Sequence, residues 1–280
     1  GRAVADTINL TNAQSGTTID GQAATDILNL QFSGNTVSTA NIETVNGSAG
    51  DDIITTIIAG TGGGIESLDG GDGNDTLTLA DGVNTVTVTN TETINGGTGG
   101  DVVTSTTNFT STDTVDLGAG TDVLNLATGN DTLFVKDAET IADIGGTDTI
   151  TLADGGQITT VSGIETIIGG TGNDAVTAGT VFTTGDSVDL KAGDGDTLNL
   201  LSGTNTLSVT NVETVNGDAS VGTQIVLENT QSGTTFDFGT DTTDEIALAN
   251  GGNTVTIIDA EKIEGATGND IVTASGVASG

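Results

Sequence analysis

The stretch Gly70-Gly71-Asp72-Gly73-Asn74-Asp75-Thr76-Leu77-Thr78 decides the fold of this chain. It is a glycine-rich turn that ends in an acid and is followed, two positions later, by an apolar residue. Because glycine adopts tight and left-handed backbone conformations at little cost, such a turn redirects the chain within a few residues. The alternation of Thr76, Leu77 and Thr78 is the period-two pattern of a half-buried strand. The stretch therefore predicts a tight corner that opens a β-strand.

The same nonapeptide, G-G-x-G-x-D-x-U-x with U an apolar residue, also occurs at Gly96–Thr104 and Gly169–Thr177. Looser copies extend over nearly the whole chain, and the acid that closes each turn marks their register. These acids are Asp6, Asp26, Asp52, Asp75, Asp101, Asp122, Asp148, Asp174, Asp196, Asp244 and Asp270. When the double step before Asp244 counts as two, the mean interval is about 24 residues, which is in the range of solenoid repeats. Longer steps, such as Asp75 to Asp101, mostly alternate with shorter ones, which gives a longer module of about 48 residues.

A repeat of this size predicts stacked coils, since one unit cannot bury an apolar face without a neighbour. The coil from Asp75 to Asp101 reads as three short strands. We therefore predict an all-β fold, a parallel β-helix or β-solenoid of about twelve coils with roughly 24 residues per coil. Residues 1–280 are expected to form a single continuous repeat domain that is a segment of a longer array.

The composition limits the partners of this domain. The chain has 280 residues, with 39 acids, four basic residues and a net charge of −35. Nucleic acids and anionic membranes need positive protein surface, so neither is an expected partner. No run of about 18 apolar residues is present, and membrane insertion is therefore not expected. A cationic partner is expected instead.

Stacking would place the turn acids in one column at a spacing of about 4.8 Å. At an effective dielectric constant of 20, two carboxylates at that distance repel by roughly 3.5 kcal/mol. Carboxylate and backbone oxygens are the ligands that calcium prefers, so we predict several calcium ions bound between adjacent turns. The alternative is that these acids are solvated and favoured only by turn geometry.

The predicted calcium ligands fall into three sets. The acids that close the turns are Asp52, Asp75, Asp101, Asp122, Asp131, Asp148, Asp174, Asp196, Asp244 and Asp270. The turn glycines are Gly70, Gly71, Gly73, Gly96, Gly97, Gly99, Gly169, Gly170 and Gly172. Additional acids in or before the turns are Asp69, Asp72, Asp116 and Asp189. For the acids that precede the turns, capping of their own turn is an equal alternative to metal binding.

Three other residue sets have structural predictions. Most acids of the repeated Glu-Thr phrase, including Glu43, Glu92 and Glu139, are expected on a solvated face, with metal contact as the alternative. Asn35, Asn84, Asn205 and Asn253 are expected to hydrogen-bond the backbone at a corner. The phenylalanines are expected to fill the core: Phe109, Phe134, Phe182, Phe236 and Phe238.

Signatures of an enzyme are missing from the sequence. The chain has no His and no Cys, so it offers no nucleophile–base pair of the usual kinds and no zinc site. Paired carboxylates can cleave glycosides, but acids that return in every coil indicate architecture instead of a unique catalytic pair. We therefore expect a protein that is not an enzyme, and a polysaccharide-degrading β-helix enzyme is the least favoured class.

By the motifs at Gly70–Thr78, Gly96–Thr104 and Gly169–Thr177, the chain resembles the RTX (repeats-in-toxin) calcium-binding proteins of Gram-negative bacteria. The resemblance is nearest to RTX-type surface-layer proteins and giant adhesins. It implies type I secretion, folding triggered by extracellular calcium, and a place at the cell surface. One departure concerns the period, because a typical RTX block repeats with every nonapeptide whereas the turns here return only once per predicted coil.

From these observations we expect a structural, calcium-stabilised extracellular protein that self-associates into a surface layer, filament or matrix. The alternative is a binding module of a giant adhesin, with glycan, a surface or ice as its target and cell-surface polysaccharide as its partner. The outward threonines Thr85, Thr87 and Thr89 suggest that alternative, although they are not repeated evenly in every coil.

Overall fold

A computed structural model describes residues 4–32, 34–58, 64–240 and 242–276 of the protein. The described residues form strands, bridges, turns and bends, and no helix among them is long and apolar enough to cross a membrane. The chain divides into two compact units, Gly1–Gly146 and Thr147–Gly280. The sequence-based prediction of one continuous domain stays a prediction.

The strands of the first unit are short and follow one another along the chain. They are β1 (Thr7–Asn9), β2 (Ser15–Asp20), β3 (Ile27–Asn29), β4 (Thr36–Ala40), β5 (Thr44–Ala49), β6 (Ile53–Thr56), β7 (Ser67–Asp72), β8 (Thr76–Thr78), β9 (Thr85–Thr89), β10 (Thr93–Thr98), β11 (Val102–Ser105), β12 (Thr114–Ala119), β13 (Val123–Asn125), β14 (Thr132–Lys136) and β15 (Thr140–Ala142).

The second unit has the same organisation. Its strands are β16 (Thr149–Leu152), β17 (Ile158–Ser162), β18 (Thr166–Ile168), β19 (Ala175–Ala178), β20 (Asp186–Asp189), β21 (Thr197–Asn199), β22 (Gly203–Thr210), β23 (Thr214–Asn216), β24 (Thr223–Leu227), β25 (Ser232–Asp237), β26 (Glu245–Ala247), β27 (Thr254–Ile258), β28 (Lys262–Glu264) and β29 (Ile271–Ser275).

In each unit, consecutive strands alternate between two parallel sheets, which we call the odd sheet and the even sheet after the numbers of their strands. Within a unit, strands pair in parallel with the strand two places later, as β8 does with β10 and β9 with β11. One turn of the solenoid therefore contains two strands. The two units together contain about 13 turns of about 20 residues. The predicted parallel β-solenoid is confirmed, whereas the predicted three strands per coil and the longer coil length are wrong.

The miscount has a simple cause: the acids used as register marks lie at two corners of the solenoid instead of one. We call the turn that enters an odd-sheet strand the odd corner, and the turn that enters an even-sheet strand the even corner. Asp52 and Asp75 both lie at the even corner, one full turn apart. Asp26 and Asp101 precede β3 and β11 and so lie at the odd corner. Each longer step, such as that from Asp26 to Asp52, therefore covers one and a half turns.

The core lies between the two sheets and is built from the alternating apolar residues of every strand. In the even sheet, Ile54, Leu77, Ile94 and Val115 are in register on successive strands, and each is almost completely buried. This apolar column is the main hydrophobic contribution to stacking, since removal of apolar area from water stabilises by about 25 cal/mol per Å². Outward positions are mostly Thr, Ser and Asn, so the strands keep the pattern that the sequence predicted.

Of the five phenylalanines predicted to lie in the core, four are buried. The buried members are Phe109, Phe182, Phe236 and Phe238. Phe134 is 39% exposed, so its prediction as a core residue is wrong. It pairs with Thr114 on the outer face of the even sheet, while its neighbours Leu133 and Val135 point into the core.

Candidate functional site

Acids and amides, most of them buried, form columns at both corners, one residue before most of the strands. Three columns have the same order, which is an amide, two aspartates and a glutamate on four successive turns. They are Asn35–Asp52–Asp75–Glu92 at the even corner of the first unit, Asn84–Asp101–Asp122–Glu139 at its odd corner, and Gln157–Asp174–Asp196–Glu213 at the odd corner of the second unit. Hereafter these are the acid columns. Shorter runs, such as Asp6–Asp26–Glu43, follow the same rule.

The main-chain N–H of each column member donates a hydrogen bond to the side-chain oxygen of the next member. The N–H of Asn84 donates to Asp101 Oδ1 at 2.9 Å, and the N–H of Asp101 donates to Asp122 Oδ1 at 2.6 Å. The N–H of Asp122 donates to Glu139 Oε2 at 2.6 Å. The chain turns a corner at these N–H groups, so the regular strand ladder cannot supply their acceptors. The acid of the following turn supplies one instead, and this satisfies a buried donor whose loss would cost about 1–3 kcal/mol.

The first-position asparagines make a second bond to the same acid. Asn84 Nδ2 donates to Asp101 Oδ1 at 2.8 Å and to the carbonyl oxygens of Ala80 and Gly82. Asn253 repeats this pattern with Asp270 and the carbonyl of Ala249. The predicted role of these asparagines in corner hydrogen bonding is confirmed.

The second oxygen of many column acids is buried and accepts no hydrogen bond in the described part of the chain. These oxygens are Asp26 Oδ2, Glu43 Oε1, Asp75 Oδ2, Asp101 Oδ2, Asp122 Oδ2 and Asp196 Oδ2. In two turns the second oxygen is satisfied, because Ser48 N–H donates to Asp52 Oδ2 and Gly170 N–H donates to Asp174 Oδ2. Asp101 and Asp122 are adjacent in one column, so two unsatisfied carboxylate oxygens lie on neighbouring turns.

Burial shifts the protonation of these acids. It raises the pKa of Asp75 to about 6, with smaller raising contributions from Glu92 and Asp52 beside it, while the N–H bond from Asp52 acts in the opposite direction. Burial likewise raises the pKa of Asp101, Asp122 and Asp196 above the ordinary value. The columns therefore disfavour the charged form unless a proton or a cation neutralises it.

The first glycine of each motif packs against a main-chain carbonyl of the next turn and leaves no room for a side chain. A Cβ atom on Gly70 would lie 2.0 Å from the carbonyl oxygen of Asn90 and 2.6 Å from Asp75 Oδ2. The same position in the other two motifs, Gly96 and Gly169, faces the carbonyl oxygens of Leu117 and Leu190 at 2.1 and 2.5 Å. Several later glycines of the motifs have the positive φ angles that a side chain disfavours: Gly71, Gly73, Gly97, Gly99 and Gly172. Gly170 is confined by the Ala153 carbonyl at 2.4 Å from a Cβ.

The structure separates the predicted calcium ligands into buried and exposed groups. The buried acids are Asp52, Asp75, Asp101, Asp122, Asp131, Asp148, Asp174, Asp196 and Asp244, and Asp270 is partly buried. The acids that precede the turns are more exposed and cap their own turns: Asp116 accepts from Gly118 N–H, and Asp189 from Lys191 N–H. Asp69 accepts from Asn90 Nδ2, and Asp72 is exposed. Asp116 and Asp189 therefore make the hydrogen bonds expected of turn capping, while metal binding by them stays a prediction.

The glutamates were the residues that sequence reasoning misplaced. Glu92 and Glu139 are column members and Glu43 is 4% exposed, so their prediction as solvated face residues is wrong. A signal was present in the sequence, because each of these glutamates follows a column aspartate at the same separation of 17 positions. A second signal is an Asn or Asp two positions before each glutamate. Asn90, which precedes Glu92 in this way, has a φ of 47° that makes the tight turn.

The donor chemistry of the acid columns fits calcium in part. Unsatisfied carboxylate oxygens such as those of Asp101 and Asp122 are hard ligands of the kind calcium prefers. Within the described ranges, however, no group of three or more acids is placed so that it could hold a metal ion. Since calcium takes six to eight oxygen ligands, the remaining ones would have to be main-chain carbonyls and water.

Comparisons with protein-family models, with curated proteins and with solved structures find no match for this chain.

Proposed function

We propose that the protein is a structural, calcium-stabilised repeat protein of the extracellular surface, and that it self-associates into a layer, filament or matrix. The observation that supports this proposal best is that the repeated acids hydrogen-bond one turn of the solenoid to the next. In the column from Asn84 to Glu139, each carboxyl accepts a main-chain bond from the turn before it. A residue that returns in column after column with one mechanical role favours architecture over catalysis.

Calcium has a defined place in this proposal. When bound, it would supply positive charge to the buried carboxylates that lack a second hydrogen bond, of which Asp101 and Asp122 are the leading pair. The described lysines do not fill that need, because Lys136, Lys191 and Lys262 each pair with partly or fully exposed acids outside the columns. Extracellular calcium is abundant enough to serve weak sites, which supports a surface location.

The direct test is thermal unfolding of the purified chain in calcium, in magnesium and in EDTA. We expect calcium to raise Tm in a concentration-dependent way and magnesium to be a poor substitute, since a ligand that binds only the folded state stabilises it. Light scattering and electron microscopy in calcium should then show ordered assemblies. A chain that is equally stable in all three solutions contradicts the calcium part, and a chain that stays monomeric contradicts the assembly part.

A second candidate function is a binding module of an adhesin, and one observation favours it. The outer face of the even sheet in the first unit presents Thr76, Thr93 and Thr114 in register on successive strands. Hydroxyls repeated at strand spacing suit a repetitive polar surface such as a glycan chain or ice. Binding of polysaccharide or ice by the chain, and its loss in Thr93→Val, would favour this function over the structural one.

A further inference from the structure

The sequence contains four Asn-Gly pairs, at Asn46, Asn95, Asn216 and Asn250. In such a pair the glycine nitrogen can attack the asparagine side-chain carbonyl carbon, because no Cβ on the following residue obstructs the approach. The new N–Cγ bond forms while the Cγ–Nδ2 bond breaks, and ammonia leaves. Water then opens the resulting succinimide to aspartate or isoaspartate. The structure gives these four sites very different surroundings.

We propose that Asn250 is a site of spontaneous deamidation in the folded protein, and that the other three Asn-Gly pairs are protected. Asn250 is exposed and lies in a bend between β26 and β27, outside the regular strands. Its neighbour Gly251 has a φ of 127°, which few other residues tolerate. The asparagine therefore lies outside the strands, although Gly251 N–H donates to the Thr267 carbonyl oxygen at 2.7 Å and must release this corner bond before its nitrogen attacks.

Two hydrogen bonds prepare the carbonyl carbon of Asn250 for attack. Asn250 Oδ1 accepts the Thr267 hydroxyl at 2.8 Å and the Thr267 N–H at 3.2 Å. Negative charge develops on this oxygen when the glycine nitrogen adds, so donors already aimed at it stabilise the transition state. Within the described residues, Asn250 Nδ2, which departs as ammonia, donates no hydrogen bond that would retain it.

The protected asparagines differ in two respects: they lie in strands, and their side-chain amide nitrogens donate hydrogen bonds. Asn46 and Asn95 lie inside β5 and β10, and Asn216 is the last residue of β23. Asn46 Nδ2 donates to Asn29 Oδ1 at 2.7 Å, and Asn216 Nδ2 donates to Asn199 Oδ1 at 2.8 Å. An extended backbone held between two strands separates the glycine nitrogen from the side-chain carbonyl, and the amide nitrogen is already engaged on the neighbouring turn.

The product of deamidation matches two sister loops of the same protein. The sequence Leu-Ala-Asx-Gly begins at Leu79, Leu152 and Leu248, and its third residue is aspartate in the first two. Asp81 Oδ1 accepts Thr98 N–H and Asp154 Oδ1 accepts Thr171 N–H, just as Asn250 Oδ1 accepts Thr267 N–H. An aspartate at position 250 therefore keeps the hydrogen bond of the loop and leaves the fold intact.

The test is peptide mass mapping of the intact folded chain during incubation at neutral and mildly alkaline pH, with isoaspartate measured separately. We expect the Asn250 peptide to gain the mass difference of deamidation at least about ten times faster than the Asn46, Asn95 and Asn216 peptides. In Thr267→Val, loss of the hydroxyl donor should slow the Asn250 reaction several-fold. In urea, where the fold is lost, the four rates should become similar.

Two results overturn the proposal. One is a folded protein in which Asn250 reacts no faster than the three strand asparagines. The other is a fast Asn250 that keeps its advantage in urea, which would attribute the rate to local sequence instead of the fold. Asn250→Asp serves as the folding control: it should match the Tm of the parent chain closely, and an unfolded variant would contradict the claim that the product fits the loop.

Discussion

Two regions of the molecule provide hydrogen-bond acceptors for the main-chain N–H groups at their corners in different ways. In the first unit, the column from Asn84 to Glu139 keeps an acid on every turn after the first, and side chains accept the corner N–H groups. In the second unit, Thr223 stands where an aspartate is expected, and its N–H still donates to Asp244 Oδ1 at 2.6 Å. Thr223 has no carboxylate that could accept an N–H from the preceding turn. At this corner the two turns pair through their main chains, with Gly203–Leu207 in register with Thr223–Leu227.

The difference shows what the acid does. Where the aspartate is present, as at Asp101, strand β10 ends at Thr98, and Gly99 and Gly100 lead into the aspartate. On the turn before Thr223, where the aspartate is absent, strand β22 begins at Gly203 and extends over eight residues, and Gly203 N–H donates to the main-chain carbonyl of Gly222. A column acid therefore takes the place of a main-chain acceptor at the corner.

The largest expected effect comes from breaking the corner itself. Gly70→Ala would place a Cβ 2.0 Å from the Asn90 carbonyl oxygen, so the backbone must shift and the Asp75 carboxyl must move. We expect a loss of about 2–4 kcal/mol in the free energy of unfolding, measured by denaturant titration. Gly145→Ala is the matched control, because a Cβ there meets no atom within 4 Å. Equal losses in the two variants contradict this account of the first motif glycine.

Removal of one column acceptor should have a smaller effect. Asp122→Ala leaves the N–H of Asp101 without its acceptor, and we expect a loss of about 1–3 kcal/mol in EDTA. Asp122→Asn keeps an acceptor oxygen, as Asn35 does when it accepts from Gln14 N–H at the even corner. In EDTA, Asp122→Asn should be at least as stable as the parent chain. If Asn and Ala destabilise equally, charge and not the hydrogen bond holds this corner.

The column also predicts an unusual pH dependence in the absence of metal ions. Burial raises the folded-state pKa of Asp75 to about 6, above the unfolded value of about 3.9. The folded protein therefore binds this proton more tightly than the unfolded chain. Its contribution is complete below about pH 4 and is lost as the pH rises through about 6, which makes the protein less stable at neutral pH by about 1–3 kcal/mol. Unfolding titrations in EDTA from pH 4 to 8 check this slope, and Asp75→Asn should reduce it.

The smallest effect is expected at the surface. Lys136 Nζ lies 2.8 Å from Asp116 and 3.0 Å from Asp137, but its side chain is 43% exposed. Solvent and salt screen such pairs, so Lys136→Met should change the free energy of unfolding by about 0–1 kcal/mol. A loss as large as that of Asp122→Ala would mean that outer ion pairs, and not the buried columns, dominate cohesion.

The sequence predicted the solenoid because its two strongest signals are local. Gly70 and Asp75 define a corner, and the alternation around Leu77 defines the strand that leaves it. The number of residues in one turn could not be read from any short stretch of the sequence. Asp26 and Asp52 look equivalent in sequence but lie at opposite corners, so the interval between them was read as one coil instead of one and a half.

The candidate site was predictable in its residues but not in its bonding. The turn aspartates were identified, yet nothing near Asp101 in sequence shows that its partner is the N–H of Asn84, 17 residues earlier. Glu92 was misplaced for the same reason, since its partner Asp75 lies one turn away in space and its own surroundings are polar. Side-chain partners across turns follow from the register of the strands, which period-two patterns leave open.

The most direct test of the central claim is the calcium dependence of stability in the double variant Asp101→Asn, Asp122→Asn, with Asp154→Asn at an exposed loop acid as the control. We expect the parent and the control to gain stability from calcium. The double variant should match or exceed the stability of the parent in EDTA but gain much less when calcium is added. A double variant that keeps the full calcium increment, or a parent chain that is indifferent to calcium, would contradict the claim that cations neutralise the buried acid columns.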